Sequence, residues 1–135
     1  MIRAIGCALA LAAAPATAQQ VDWATLGQAL HDQRPNGPEM STGTEAVLRA
    51  LDKVSGAVED LTVPVGGTVE YQRLHIDLTA CRFPTDNPES DAFAFLRITD
   101  TQRGEVQFLG WMTAASPALN ALDHPRYDIW VMNCR

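Results

Sequence analysis

The residues best suited to catalysis lie on one alternating segment of the chain. His75 and Asp77 share the polar side of a predicted strand at 74–82, about 6–7 Å apart at the usual rise of a strand. Together with Ser116 they would supply the base, the acid and the nucleophile of a small hydrolase. Ser116, however, lacks the flanking glycines of a nucleophile elbow, and Pro117 follows it as in a capped helical turn. The sequence therefore favours a polar strand surface, and the hydrolase is the less favoured alternative.

A metal site has candidate ligands but no ligand motif. Ligand atoms are carried by His75, Asp77, Asp123 and His124. No pair of histidines or cysteines has the spacing typical of zinc sites, and no acidic calcium loop occurs. We therefore expect no metal and no other cofactor. His124, in a turn before Pro125, is predicted to hydrogen-bond a backbone group of that turn.

Three aromatic residues on or beside the last two predicted strands are the candidates for recognition: Trp111, Tyr127 and Trp130. Flat side chains on an exposed sheet can stack on sugars or anchor a protein interface. The last strand, 127–134, is apolar on both sides, as a buried strand is, so at least one tryptophan is also a candidate for the core. Core packing and a binding surface that includes His124 both remain open.

The first residues have the three parts of an export signal. A charged start at 1–3 is followed by an apolar run at 4–14 and by a small-residue cleavage site at 16–18. We expect cleavage after Ala18 and a location in the periplasm. The apolar run is shorter than the about 20 residues of a membrane span, and Cys7 stands too near the start to be a lipid anchor. Neither a membrane span nor a lipid anchor is expected.

Loss of the signal leaves two cysteines, Cys81 and Cys134. In an oxidising compartment, an isolated pair of this kind most simply forms a disulfide. Each cysteine ends a predicted strand, and the absence of a C-x-x-C motif argues against redox-active thiols. The pair is therefore predicted to be a structural bond.

Short β-prone runs separated by turn residues fill the chain from residue 46 onward. The runs are 46–54, 57–63, 68–72, 74–82, 92–99, 105–113 and 127–134. They predict a mostly β domain over 46–135, a small antiparallel sandwich or barrel. Ser55-Gly56 predicts a two-residue hairpin, and Gly110 predicts a bulge or a close backbone approach. In 74–82, alternation places Ala80 with the apolar side and Cys81 with the polar side.

The segment 19–45 has a different composition. Trp23, Leu26 and Leu30 have helical spacing and predict one short amphipathic helix. Prolines, glycines and small polar residues at 35–44 then predict a flexible linker.

The charge of the chain excludes several classes of partner. The formal net charge is −6, and no run of lysines or arginines occurs. Nucleic acids and anionic lipid surfaces are bound by clustered basic residues, so neither is an expected partner. Other proteins, neutral glycans and small ligands remain.

Several short motifs with uncommon residues follow one another in an order that resembles the motif order of one bacterial family. They are Leu51–Gly56, Val63–Gly66, Ala80-Cys81, Phe108–Met112, Ser116–Leu119, His124-Pro125, Tyr127–Val131 and Cys134. The pattern covers roughly residues 46–135 and resembles domain-of-unknown-function family 2155, small exported proteins without an established activity. The resemblance implies an envelope protein of Gram-negative bacteria in which Cys81 and Cys134 are the family cysteines.

These features predict a non-catalytic module of the cell envelope. Its expected role is to recognise another protein through the surface around Trp111, the segment 114–126 and Tyr127. Glycan binding by the same aromatic residues is the first alternative.

Overall fold

The computed structural model describes residues 37–135, which form eight strands and one short helix. The strands are β1 (Met40–Thr42), β2 (Glu45–Asp52), β3 (Val58–Pro64), β4 (Thr68–Tyr71), β5 (Leu74–Pro84), β6 (Phe93–Asp100), β7 (Glu105–Thr113) and β8 (Tyr127–Cys134), with a 3-10 helix at Pro117–Leu119. The mostly β prediction is confirmed. The predicted export signal and amphipathic helix lie outside the described residues. No helix within residues 37–135 is long and apolar enough to cross a membrane.

The strands form two antiparallel sheets that face each other. In the larger sheet, β6 pairs with one edge of β5, and β7 pairs with β6. β4 and β1 pair with successive segments of the other edge of β5. The smaller sheet has the order β3-β2-β8. Since β8 packs against β5, β6 and β7, the two sheets enclose one core between them. Of the two predicted architectures, the arrangement is a sandwich.

Alternating side chains of both sheets fill the core. The largest fully buried aliphatic residues are Leu48, Leu74, Ile76, Leu78, Leu96, Ile98 and Ile129. Cys81 of β5 and Cys134 of β8 lie at bonding distance, with their Cα atoms 5.7 Å apart. The disulfide therefore joins one sheet to the other across the core.

A β-bulge in β5 corrects the predicted orientation of its last residues. Leu78 pairs with Leu96, but the next partner of β6 is Ala80, so Thr79 is the extra residue. Beyond the bulge Ala80 is half-buried on the outer side and Cys81 is fully buried. The prediction that side chains alternate strictly along this strand was wrong, because one inserted residue exchanges the inner and outer sides for all residues that follow it. The bulge is what directs Cys81 toward the opposite sheet.

Two connecting segments also differ from prediction. Residues 40–42, expected in a flexible linker, form β1 because their backbone pairs with Arg82–Pro84 of β5. The predicted two-residue hairpin at Ser55-Gly56 is a longer loop between β2 and β3. It is longer because the Asp52 carboxylate accepts hydrogen bonds from the backbone N–H groups of Val54 and Ser55, which closes a turn before the strands pair.

The helical turn predicted after Ser116 is observed as a 3-10 helix with Pro117 at its first position. The carbonyl of Ser116 accepts a hydrogen bond from the N–H of Leu119 at 3.1 Å. The Ser116 side chain makes no capping hydrogen bond, so the predicted side-chain cap is wrong.

The segment after β7 folds back against that strand at Gly110. A Cβ atom at this glycine would lie 3.1 Å from Nδ2 of Asn120. The same amide donates a hydrogen bond to the carbonyl of Trp111 at 2.8 Å. Two residues later in the chain, the side chain of Leu122 is buried in the core. Gly110 is therefore a close approach, as predicted, while the bulge of β7 lies earlier, at Gln107.

Candidate functional site

The outer side of the larger sheet carries a group of exposed and half-buried apolar residues, which we call the aromatic face. Met40, Leu109 and Trp111 are exposed, and Phe93 and Phe95 are half-buried. The register places Phe95 directly opposite Trp111 on neighbouring strands. Leu109 is 63% exposed and Trp111 is 39% exposed. Large apolar side chains grouped on an exposed surface are typical of an interaction site.

A groove of about 270 Å³ lies within the aromatic face, lined by Met40, Arg82, Phe93 and Trp111. The Trp111 ring packs edge-to-face with Phe95 at a centroid distance of 5.4 Å. The Arg82 guanidinium lies over the same ring, 5.5 Å from its centroid. Because both neighbours hold the indole in one position, Trp111 forms a fixed wall of the groove.

The four aromatic and histidine residues predicted for binding do not form one surface. Trp111 lies on the aromatic face, whereas Trp130 is half-buried on the outer side of the smaller sheet, opposite Arg49. Tyr127 and His124 are enclosed, with 3% and 1% of their surfaces exposed. The side chains of β8 alternate, and the outer sides of a sandwich point in opposite directions. A contiguous surface of these residues is therefore excluded.

His124 belongs to a buried polar cluster at the end of β6 and the start of β8. Its Nδ1 accepts hydrogen bonds from the backbone N–H groups of Arg126 at 3.1 Å and Tyr127 at 3.0 Å. The ring proton must then lie on Nε2, which is 3.3 Å from Oδ2 of Asp100. These bonds fix the chain as it enters β8, as the sequence predicts for His124 in its turn. No serine or cysteine of residues 37–135 hydrogen-bonds this imidazole, so the cluster offers no activated nucleophile.

Two acidic residues of this end of the sandwich have lowered pKa values. Nη2 and Nε of Arg126 donate hydrogen bonds to Oδ2 of Asp52, at 2.9 Å and 3.2 Å, and this pairing lowers the pKa of Asp52 to about 2. Burial alone would raise the pKa of Asp100. The hydrogen bond from His124 and those from the backbone of Gln102 and Arg103 outweigh burial, so this pKa is also below its usual range.

Acid is therefore expected to destabilise the fold between about pH 4 and pH 2. The pKa values of Asp52 and Asp100 are lower in the folded state than in the unfolded state. Their ionised carboxylates therefore stabilise the fold fully at pH values above the unfolded-state pKa. This contribution is lost as the pH falls through the folded-state pKa. Denaturant midpoints measured across this range should fall steadily, and Asp52→Asn should flatten part of the decline. Midpoints that stay constant down to pH 2 would contradict the assignment of these pairs.

The predicted hydrolase residues His75 and Asp77 are neighbours on the exposed side of β5. Nε2 of His75 is 3.3 Å from Oδ1 of Asp77, and Nδ1 hydrogen-bonds Glu70 of β4. The Glu70 hydrogen bond raises the pKa of His75 above its ordinary value. Asp77 also accepts a hydrogen bond from Thr68 at 2.7 Å. Both nitrogens of the imidazole thus face carboxylates.

Ser116 lies at the opposite end of the larger sheet, so the predicted triad is not assembled. His75 is opposite Thr99 on β6, whereas Thr113, just before Ser116, is opposite Phe93. The six-residue difference along β6 corresponds to about 20 Å. A hydrogen bond of about 3 Å between base and nucleophile is therefore out of reach, and the hydrolase alternative is wrong. Within the described part of the chain, no three metal-ligating side chains converge.

Comparison with known proteins adds the family. A family model with the description "Uncharacterized protein conserved in bacteria (DUF2155)" matches residues 46–134. The "Uncharacterized protein RP359" of Rickettsia prowazekii (strain Madrid E) is 26% identical over 99 residues, which are 71% of this chain. The chain spans 64% of the length of that relative. No solved structure matches. Since the family model covers β2 to β8, including both cysteines and the cluster around His124, the chain belongs to the DUF2155 family.

Proposed function

We propose that this protein is a non-catalytic recognition module of the bacterial cell envelope that binds another protein through the aromatic face. The observation that carries the proposal is the groove between Met40, Arg82, Phe93 and Trp111, in which a half-exposed indole is held in place. Fixed aromatic anchors in a concave apolar setting are typical hot spots of protein interfaces. The export signal expected at residues 1–18 supports a location in the periplasm.

A protein is a better fit to this groove than a glycan. A sugar ring stacks on the open flat side of an aromatic residue, but the guanidinium of Arg82 lies over the indole of Trp111. The other residues that line the groove, Met40 and Phe93, have no side-chain hydrogen-bonding group to match sugar hydroxyls. Apolar and cationic side chains together suit the side chains of a polypeptide.

The outer side of the smaller sheet is a weaker candidate. It also has exposed apolar residues, Val58 and Met132, and the half-buried Trp130. At its centre, however, Arg49 donates two hydrogen bonds to the carboxylate of Asp60, at 2.7 Å and 2.8 Å. Its charged groups are thus already paired with each other. This side provides matched control positions for experiments on the aromatic face.

Site-specific photocrosslinking in intact cells tests the proposal. A photoreactive residue at position 109 should give a discrete protein adduct, because Leu109 is exposed beside Trp111. The same residue at position 132, exposed on the opposite side of the sandwich, is the control. The adduct is identified by mass spectrometry. Equal adducts at both positions, or an adduct at position 132 alone, would refute recognition through the aromatic face.

A further inference from the structure

Two arginines on the outer side of the larger sheet, Arg82 and Arg97, differ in their ion pairing from the other lysine and arginine residues that the structure describes. Within residues 37–135, carboxylates lie within ion-pairing distance of Arg49, Lys53, Arg73, Arg103, Arg126 and Arg135. Arg82 and Arg97 have no such partner in this part of the chain. The chain has sixteen acidic and ten basic residues, so carboxylates are plentiful. The two unpaired arginines are both on the outer side of the larger sheet.

The environment of Arg97 explains why it is left unpaired. Asp77 lies directly across from it in the register of β5 and β6. The carboxylate of Asp77 instead accepts a hydrogen bond from Thr68 and faces Nε2 of His75 at 3.3 Å. On its other side Arg97 is opposite the exposed Leu109. The guanidinium is therefore available to a carboxylate from outside the described fold.

The two arginines flank the aromatic residues along the sheet. Arg82 is opposite Phe93 on β6, and Arg97 is four residues farther along the same strand. This separation corresponds to about 13 Å along the sheet. Phe95, opposite Trp111, lies between them. The two arginine positions thus lie on either side of the Phe95–Trp111 pair, and the guanidinium of Arg82 extends over the Trp111 ring.

We infer that the partner binds as a segment with an apolar or aromatic residue flanked by acidic residues on both sides. This inference rests on the proposed function and names the chemistry of the partner. The apolar residue fills the groove beside Trp111, and the carboxylates pair with Arg82 and Arg97. Arginine suits this role because its planar guanidinium can donate two parallel hydrogen bonds to one carboxylate. In an extended segment, about four residues span the 13 Å between the arginines.

Selection of peptides on the purified full chain tests this chemistry. A phage-displayed library of random linear peptides is panned in parallel on the wild type, on Trp111→Ala and on the double variant Arg82→Glu/Arg97→Glu. A second double variant, Arg49→Glu/Arg135→Glu, makes the same change of net charge away from the aromatic face. Met40→Ala provides a second test of the apolar groove. Unfolding midpoints establish that each variant is folded. Sedimentation of the wild type and Trp111→Ala measures self-association.

The expected result is a several-fold enrichment of peptides with Asp or Glu on both sides of an apolar residue. The enrichment should be lost with Trp111→Ala or Met40→Ala and should change to Lys and Arg with Arg82→Glu/Arg97→Glu. An enriched peptide should bind that variant about tenfold more weakly, while Arg49→Glu/Arg135→Glu retains binding.

Trp111-dependent peptides without an acidic preference would overturn the inference and leave the proposed function standing. The absence of any Trp111-dependent peptide would overturn both. A dimer of the wild type that Trp111→Ala dissociates would identify a second copy as the occupant and would also overturn the inference.

Discussion

Removing the disulfide between Cys81 and Cys134 is expected to lower the free energy of unfolding by about 4 kcal/mol. The bond closes a loop of 53 residues, and opening it lets the unfolded chain explore many more conformations. It also joins β5 to β8, hence one sheet to the other. Since a domain of this size has about 5–15 kcal/mol of total stability, the loss is a large part of it.

Denaturant unfolding of the double variant Cys81→Ala/Cys134→Ala measures this effect. The chemically reduced wild type is the control, because it retains both sulfur atoms and lacks only the bond. The two should have similar midpoints, well below that of the oxidised wild type. A reduced protein as stable as the oxidised one would show that the sheets do not depend on this connection.

Replacing His124 with alanine is expected to cost about 3 kcal/mol, because it leaves buried polar groups without partners. The backbone N–H groups of Arg126 and Tyr127 lose their acceptor, and Asp100 loses a donor. The ring also stacks on Tyr127 at a centroid distance of 5.1 Å, and this packing is lost as well. The change should act on stability and leave peptide binding to the folded protein unaltered.

His75→Ala is the matched control for this substitution. His75 is partly exposed, and its contacts with Glu70 and Asp77 are surface pairs, which contribute little to stability. Chemical denaturation of both variants should give a large shift for His124→Ala and a small one for His75→Ala. If the two shifts are similar, the buried cluster does not hold the entry to β8.

Most of the strands could be predicted from the sequence, because alternating apolar residues and turn residues mark each of them. β1 could not, since its pairing with β5 depends on backbone hydrogen bonds rather than on side-chain pattern. The face of the sheet on which Cys81 lies was also predicted incorrectly, because the residue order gives no clear signal for the bulge at Thr79. Pairing of the cysteines could be predicted because it required only their number and the expectation of an export signal.

The candidate site could be predicted only in part. Trp111 and the close approach at Gly110 are visible in the sequence, but the sequence left open whether Trp111 and Trp130 belong to the core or to a binding surface. They lie on opposite sides of the sandwich because β7 and β8 belong to different sheets. The importance of Arg82 and Arg97 depends on side-chain contacts. The register places Asp77 opposite Arg97, but that carboxylate is hydrogen-bonded to Thr68 and faces His75. A residue pattern along one strand does not contain that information.

The central claim, recognition through the aromatic face, is tested most directly by the crosslink from position 109 in cells that carry Trp111→Ala or Trp130→Ala. Loss of a central tryptophan from an interface weakens binding at least about tenfold. We therefore expect Trp111→Ala to abolish the adduct and Trp130→Ala to leave it unchanged. An adduct that survives Trp111→Ala, or that both variants reduce equally, would contradict the account.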